Sequence, residues 1–181
     1  MDIPLPDFLL IYGRLISSLN ELLGMRFLPG FVNEKSEIGK ILQGIIEFNN
    51  SGNTLWRDIE CLRLGLFIME LREIKSYDEG LFLRLKKSIH RSKSSDSFFG
   101  TRFEVHISSL LIKKGIEFEK DESPDFNIQR DGKNNYIECT SARSMNGEKK
   151  IISIKSYQLF EKNQKNHTPI DQRLYLSILQ I

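Results

Sequence analysis

At 181 residues and a formal net charge of +2, the chain is long enough for one ordinary domain or two small ones. Hydrophobic content of 40% and charged content of 28% exclude a disordered chain and describe a globular one. The longest apolar run, Leu64 to Met69, falls far short of the ~20 residues of a membrane helix, and no basic start precedes an apolar segment. Neither a membrane contact nor a secretory signal is therefore expected. Cys61 and Cys139 stand apart in no pattern, which points away from a disulfide framework or a zinc site and toward a reduced, cytoplasmic setting.

The first ninety or so residues read as helical. Phe8, Leu9, Tyr12, Leu15, Ile16, Leu19, Leu22 and Leu23 recur at helical spacing, with Pro29-Gly30 as the stop. Ile38, Ile41, Leu42, Ile45 and Ile46 predict a second helix, ended by Asn49-Asn50-Ser51-Gly52-Asn53. Thr54 can cap a third, running to about Lys75, and a fourth spans about Asp78 to His90. Trp56 and Phe67 are expected in the core. The serine-rich stretch Ser92 to Ser97 marks the expected end of this module, residues 1–92.

Beyond it the pattern changes. A helix from about Thr101 to Lys114 should stop at Gly115. Ile116 to Glu119 alternates as a strand. Phe126 to Arg130 and Asn135 to Ser141 also alternate, and Asp131-Gly132 between them is a strong hairpin signal. A helix from about Lys150 to Asn166 and a last apolar strand, Leu174 to Ile181, complete the order α-β-β-β-α-β for residues 97–181. The class is α/β, with an all-helical module in front.

Alternate strand residues share a face, so Glu138 lies with Tyr136 and Thr140, and Asp125 with Asn127 and Gln129. Turning the hairpin at Asp131-Gly132 can bring Asp125 beside Glu138. Two such carboxylates repel unless a proton or cation lies between them, and hard oxygen ligands suit Mg²⁺ or Mn²⁺. Each acid also has a plainer reading. Thr101-Arg-Phe-Glu104 fits a capping box, and Asp125 after Pro124 fits a turn. Glu138 is harder to explain away, because an isolated carboxylate in a central strand is costly.

Basic residues cluster at Arg84, Lys86, Lys87, Arg91 and Lys93, and they outnumber acids beyond Ser141. Such clusters suit a phosphate backbone, or simply a solvated helix face. No Gly-rich phosphate loop or nucleophile elbow appears.

A helix carrying Glu104, a strand, then Pro124-Asp125 and Glu138-Cys139-Thr140 on a hairpin together resemble the PD-(D/E)xK nuclease superfamily over about residues 97–181. That resemblance implies a restriction-endonuclease-like αβββαβ core with a mixed central sheet. It implies Mg²⁺ (or Mn²⁺) held by Asp125 and Glu138 with Glu104, and hydrolysis of DNA, RNA being the other substrate, to a 5′-phosphate and a 3′-hydroxyl. Thr140 stands where the family pattern ends in lysine. Some families carry that lysine on the next helix, where Lys155 is the expected replacement. Lys86, Lys87, Arg91, Lys149, Lys150, Lys162 and Lys165 are then the expected nucleic-acid contacts. The alternatives are a catalytically inactive nucleic-acid-binding or assembly module on the same fold, or a helical half that acts as an interaction domain. A homodimer or partner subunit could cover the sheet edge at the final strand.

Overall fold

The structure, a computed structural model, describes residues 7–27, 36–121, 125–130, 133–142 and 151–157. Five helices come first: α1 (Phe8–Leu23), α2 (Glu37–Asn50), α3 (Thr54–Tyr77), α4 (Glu79–Arg91) and α5 (Ser95–Lys113). Four strands follow: β1 (Phe118–Lys120), β2 (Phe126–Arg130), β3 (Lys133–Ala142) and β4 (Ile151–Tyr157). Two compact units divide the chain, Met1–Ser109 and Leu110–Ile181, so the division falls inside α5 and not in the serine-rich stretch. Among the described residues no helix is long and apolar enough to cross a membrane.

In the first unit, helical periodicity becomes burial. α3 packs against α1, α2 and α4. Leu64, Phe67, Leu71 and Ile74 of α3 are buried, as are Leu19 and Leu23 of α1, Leu42 and Ile45 of α2, and Leu81 and Leu85 of α4. Trp56, expected in this core, is instead 47% exposed in the first turn of α3. Burial of polar groups is matched by bonds. The Tyr12 hydroxyl donates to the Leu42 carbonyl at 3.2 Å, and burial pushes its pKa up.

Helix ends follow capping chemistry. Gly24 closes α1 at φ +68°, a left-handed position where a side chain is strained, and its N–H donates to Asn20. α1 thus ends ahead of Pro29-Gly30, which lies outside the described residues. Asn20 then clamps the departing chain, giving and taking one 2.8 Å bond each with the Phe27 backbone. Asn53, not Thr54, caps α3, accepting from Trp56 N–H. Asp78 joins two helices, its N–H donating to Ile74 at the end of α3 and its carboxylate accepting from Leu81 at the start of α4.

α5 starts six residues before Thr101. Ser94 Oγ accepts from Ser97 N–H and Ser97 Oγ accepts from Ser94 N–H, at 3.3 and 3.4 Å, a reciprocal cap built from two serines. Thr101 is therefore interior, its hydroxyl donating back to Ser97 O at 3.0 Å, and the expected capping box with Glu104 does not form. A polar seam ties α5 to α3. His106 Nδ1 lies 2.5 Å from Glu70, and Ser109 donates to Glu73. Arg102 lies over the Phe67 ring and donates to the Arg63 carbonyl at 2.8 Å. Burial pulls the Arg102 pKa down, against the neighbouring Glu70 and Glu60.

In the second unit, Gly115 at φ +63° ends the helical turn, as its position predicts. The strands form one sheet in the order β1-β2-β3-β4, and every pairing among the described residues is antiparallel. A meander therefore stands where a mixed sheet was expected. The helix expected over 150–166 is overturned across Ile151–Tyr157, which is strand β4. Ile151, Ile152 and Ile154 are β-branched, and in the register Ile152, Ile154 and Ser156 stand opposite Ser141, Cys139 and Ile137. The final strand expected at 174–181 lies outside the described residues. Phe126, Ile128 and Ile137 are buried on one face, with Phe118 edge-on to Phe126.

Asp78→Ala removes the shared cap between α3 and α4. It should cost about 1 kcal/mol in urea unfolding, with Asp78→Asn close to wild type.

Candidate functional site

The β2–β3 register is what gathers the acids. Arg130 pairs with Lys133 across a two-residue connection, and the ladder runs up to Phe126↔Ile137. Next come Asp125, the residue just before β2, and Glu138 of β3. β2 ends there, and the Asp125 carboxylate takes over the ladder's role, its Oδ2 accepting from Cys139 N–H at 2.6 Å. On the other side Asp121 N–H donates to the Asp125 carbonyl at 3.3 Å. Asp125 is thus held from β1 and from β3 at once.

Lys155 joins this row from the far side. β4 pairs Glu138 with Lys155 directly, so Asp125 at the start of β2, Glu138 on β3 and Lys155 on β4 occupy neighbouring positions. Lys155, expected on a helix, is carried by a strand. The side chains of Glu138, Thr140 and Lys155 lie outside what is described.

A basic residue absent from the expected site stands closest to Asp125. Lys120, the last residue of β1, places Nζ 3.4 Å from Asp125 Oδ1 and 5.2 Å from the Phe126 ring centre. Its side chain is only 11% exposed and that of Asp125 15%, so the pair is poorly screened by solvent. The one signal in the sequence was β1 itself. Extending that strand to Lys120 puts the lysine opposite Phe126, next to Asp125.

Asn127 lies two residues from Asp125 on the same strand. Its Oδ1 is buried and, among the described residues, has no hydrogen-bond donor. An orphaned buried oxygen costs about 1–3 kcal/mol unless a donor or cation meets it. Carboxylate, amide and carbonyl oxygens are the donor set a hard divalent ion takes, so the chemistry of this row fits Mg²⁺ or Mn²⁺. Among the described residues no group of three or more His, Cys, Asp or Glu side chains can hold a metal by itself. Glu104 belongs to α5 in the first unit, and Asp125 and Glu138 to the second.

The basic residues separate by position. Arg84, Lys87 and Arg91 are exposed on α4 at spacings of three and four, one face of the helix. Lys86 turns inward, its Nζ 6.0 Å from the Phe82 ring, so it is less suited to phosphate than expected. Lys149, Lys150, Lys162 and Lys165 lie outside the described residues. Both cysteines are free thiols, and burial, then Asp58, raises the Cys61 pKa, keeping it protonated near neutral pH.

No family model matches the chain, and no curated protein or solved structure is significantly similar to it. The nuclease resemblance therefore rests on these residues and their placement.

Asp125→Ala should release the Cys139 amide and destabilise this end of the sheet by about 1–3 kcal/mol. Asp125→Asn keeps an acceptor there and should preserve the protection. Amide hydrogen exchange at Cys139 distinguishes the two.

Proposed function

We propose that the second unit is a metal-dependent phosphodiester hydrolase acting on DNA. The observation that carries this reading is the transverse row of Asp125, Glu138 and Lys155 across β2, β3 and β4. Asp125 and Glu138 would hold one or two divalent ions. The carbonyl of Cys139 would help them, since in a strand it leaves on the same side as the N–H that Asp125 accepts. A bound Mg²⁺ or Mn²⁺ supplies a water of lowered pKa and stabilises charge on phosphate oxygens.

Lys155, beside Glu138, would orient the attacking water or neutralise charge on the phosphate, the task of the lysine that Thr140 replaces. Lys120 is the competing cation. Its ammonium must leave Asp125 Oδ1 before an ion can take that oxygen, which makes it a natural partner for the scissile phosphate instead. Arg84, Lys87 and Arg91 would contact the DNA backbone, with salt-dependent affinity.

One observation favours a second reading. Both Asp125 oxygens already have partners, Cys139 N–H and Lys120, and Thr140 offers no charge. A nuclease fold that binds nucleic acid without cutting it would look like this.

Plasmid and linear DNA incubated with Mg²⁺, Mn²⁺ or EDTA separate the two. Cleavage should require metal and fall at least about 100-fold in Asp125→Asn and Glu138→Gln, which keep the backbone pairing. Lys155→Ala should lose about 10- to 100-fold in rate with Mn²⁺ affinity unchanged. DNA binding without cleavage by the wild-type protein would establish the second reading.

A further inference from the structure

α3 is apolar on two sides. One side is the core already described. On the other, Leu55, Leu62, Leu66 and Met69 are 67%, 68%, 57% and 63% exposed, with Ile59 half-buried between them. Steps of four, three, four and three residues separate these five positions, the spacing of a seam that receives another helix. From Leu55 to Met69 the seam is about 21 Å long. Contiguous apolar surface of this kind marks an interaction site.

The seam borders a groove of about 650 Å³ between α1 and α3, with Ile11 and Leu15 on one wall and Leu62, Leu66 and Met69 on the other. Gly65 also lines it. A Cβ there would meet only Leu15 Cδ2, at 3.9 Å, so the glycine is not required by the fold of its own chain. Its absent side chain keeps the groove open to a second backbone.

Charge identifies the occupant. Asp58 and Arg72 flank the seam on the Gly65 side, seven residues before and seven residues after it. An antiparallel copy of α3 related by a two-fold axis beside Gly65 places Asp58 opposite Arg72 of the second copy, twice. It also sets Leu62 against Leu66 and Ile59 against Met69 where the helices come closest, Gly65 against Gly65 on the flank, and Leu55 at the rim toward Glu73, which accepts from Ser109. The Asp58 and Arg72 side chains are 59% and 52% exposed. Their local contacts, with Arg57 for Asp58 and with Ser18 and Glu21 for Arg72, leave further acceptor and donor positions open. On the opposite flank Arg63 meets its own copy, each already 2.7 Å from Glu60.

We infer that α3 is a homodimer contact, a second copy docking antiparallel on the Leu55–Met69 seam with Asp58 and Arg72 paired across the axis. An isologous contact needs such self-complementarity, and a partner of unrelated sequence does not.

Sedimentation equilibrium of the full chain tests this. The wild type should be a dimer. Asp58→Arg alone and Arg72→Asp alone should each raise the dimer dissociation constant about tenfold or more, and the double swap should restore it. Both side chains are exposed, so circular dichroism should show all variants folded. Independently, Gly65→Cys in a Cys61→Ser/Cys139→Ser background should form an interchain disulfide under mild oxidation, whereas Leu83→Cys on α4 should not. A wild type monomeric at every concentration overturns the inference. So does a dimer that the double swap fails to restore, or one that Leu66→Glu leaves intact.

Discussion

The pairing of Arg130 with Lys133 sets the β2–β3 register, and much of the second unit depends on it. Side chains alternate along a strand with a period of two, so a one-residue slip would send every residue of β3 to the opposite face. With the register held, Phe126, Ile128 and Ile137 share the buried face, and the positions of Asp125 and Glu138 meet at the other end of the ladder. Asp125 closes that end by using a side-chain oxygen where a backbone carbonyl would otherwise be needed. The same carboxylate therefore has a structural bond on one oxygen and a charged neighbour on the other. The catalytic use proposed for Asp125 would be coupled to sheet integrity through one residue, and for that reason asparagine is a more informative replacement than alanine.

A comparable double use runs through the first unit. α3 packs against α1, α2 and α4 through one face, yet its opposite face is nearly as apolar. A helix stable as a monomer has no need of exposed leucines at seam spacing, whereas a helix that docks on a copy does. At the C-terminal end of that face, Glu73 continues the line of Leu66 and Met69 and takes Ser109, while Glu70 beside it takes His106. Carboxylates there take donors from α5, which satisfies half-buried oxygens and fixes the angular position of α3 about its axis.

Legibility differed by the range of the signal. The four N-terminal helices were visible because a 3.6-residue period is local, and Leu64, Phe67, Leu71 and Ile74 fall on it directly. The Asp125–Glu138 neighbourhood was visible for a similar reason, since a period of two and a two-residue turn define a hairpin without outside help. The start of α5 was missed because Ser94 and Ser97 cap each other with hydroxyls, leaving no acidic residue at the usual position to mark the box. β4 was misread because Lys155, Lys162 and Lys165 happen to fit a helical stripe, while the isoleucines of 151–154 carried the opposite and correct signal. Trp56 was misplaced because the sequence says that a large aromatic follows a cap, not whether another helix covers it.

Local rules sufficed for the four N-terminal helices, the hairpin and the neighbouring positions of Asp125 and Glu138, because spacing, capping and turn chemistry act over a few residues. Tertiary structure decided the rest. Lys120 beside Asp125, Lys155 beside Glu138 by way of a strand, and the apolar seam left uncovered on α3 all depend on which elements become neighbours. Neighbours distant in the chain are selected by collective packing and pairing, and no short window of residues contains that information.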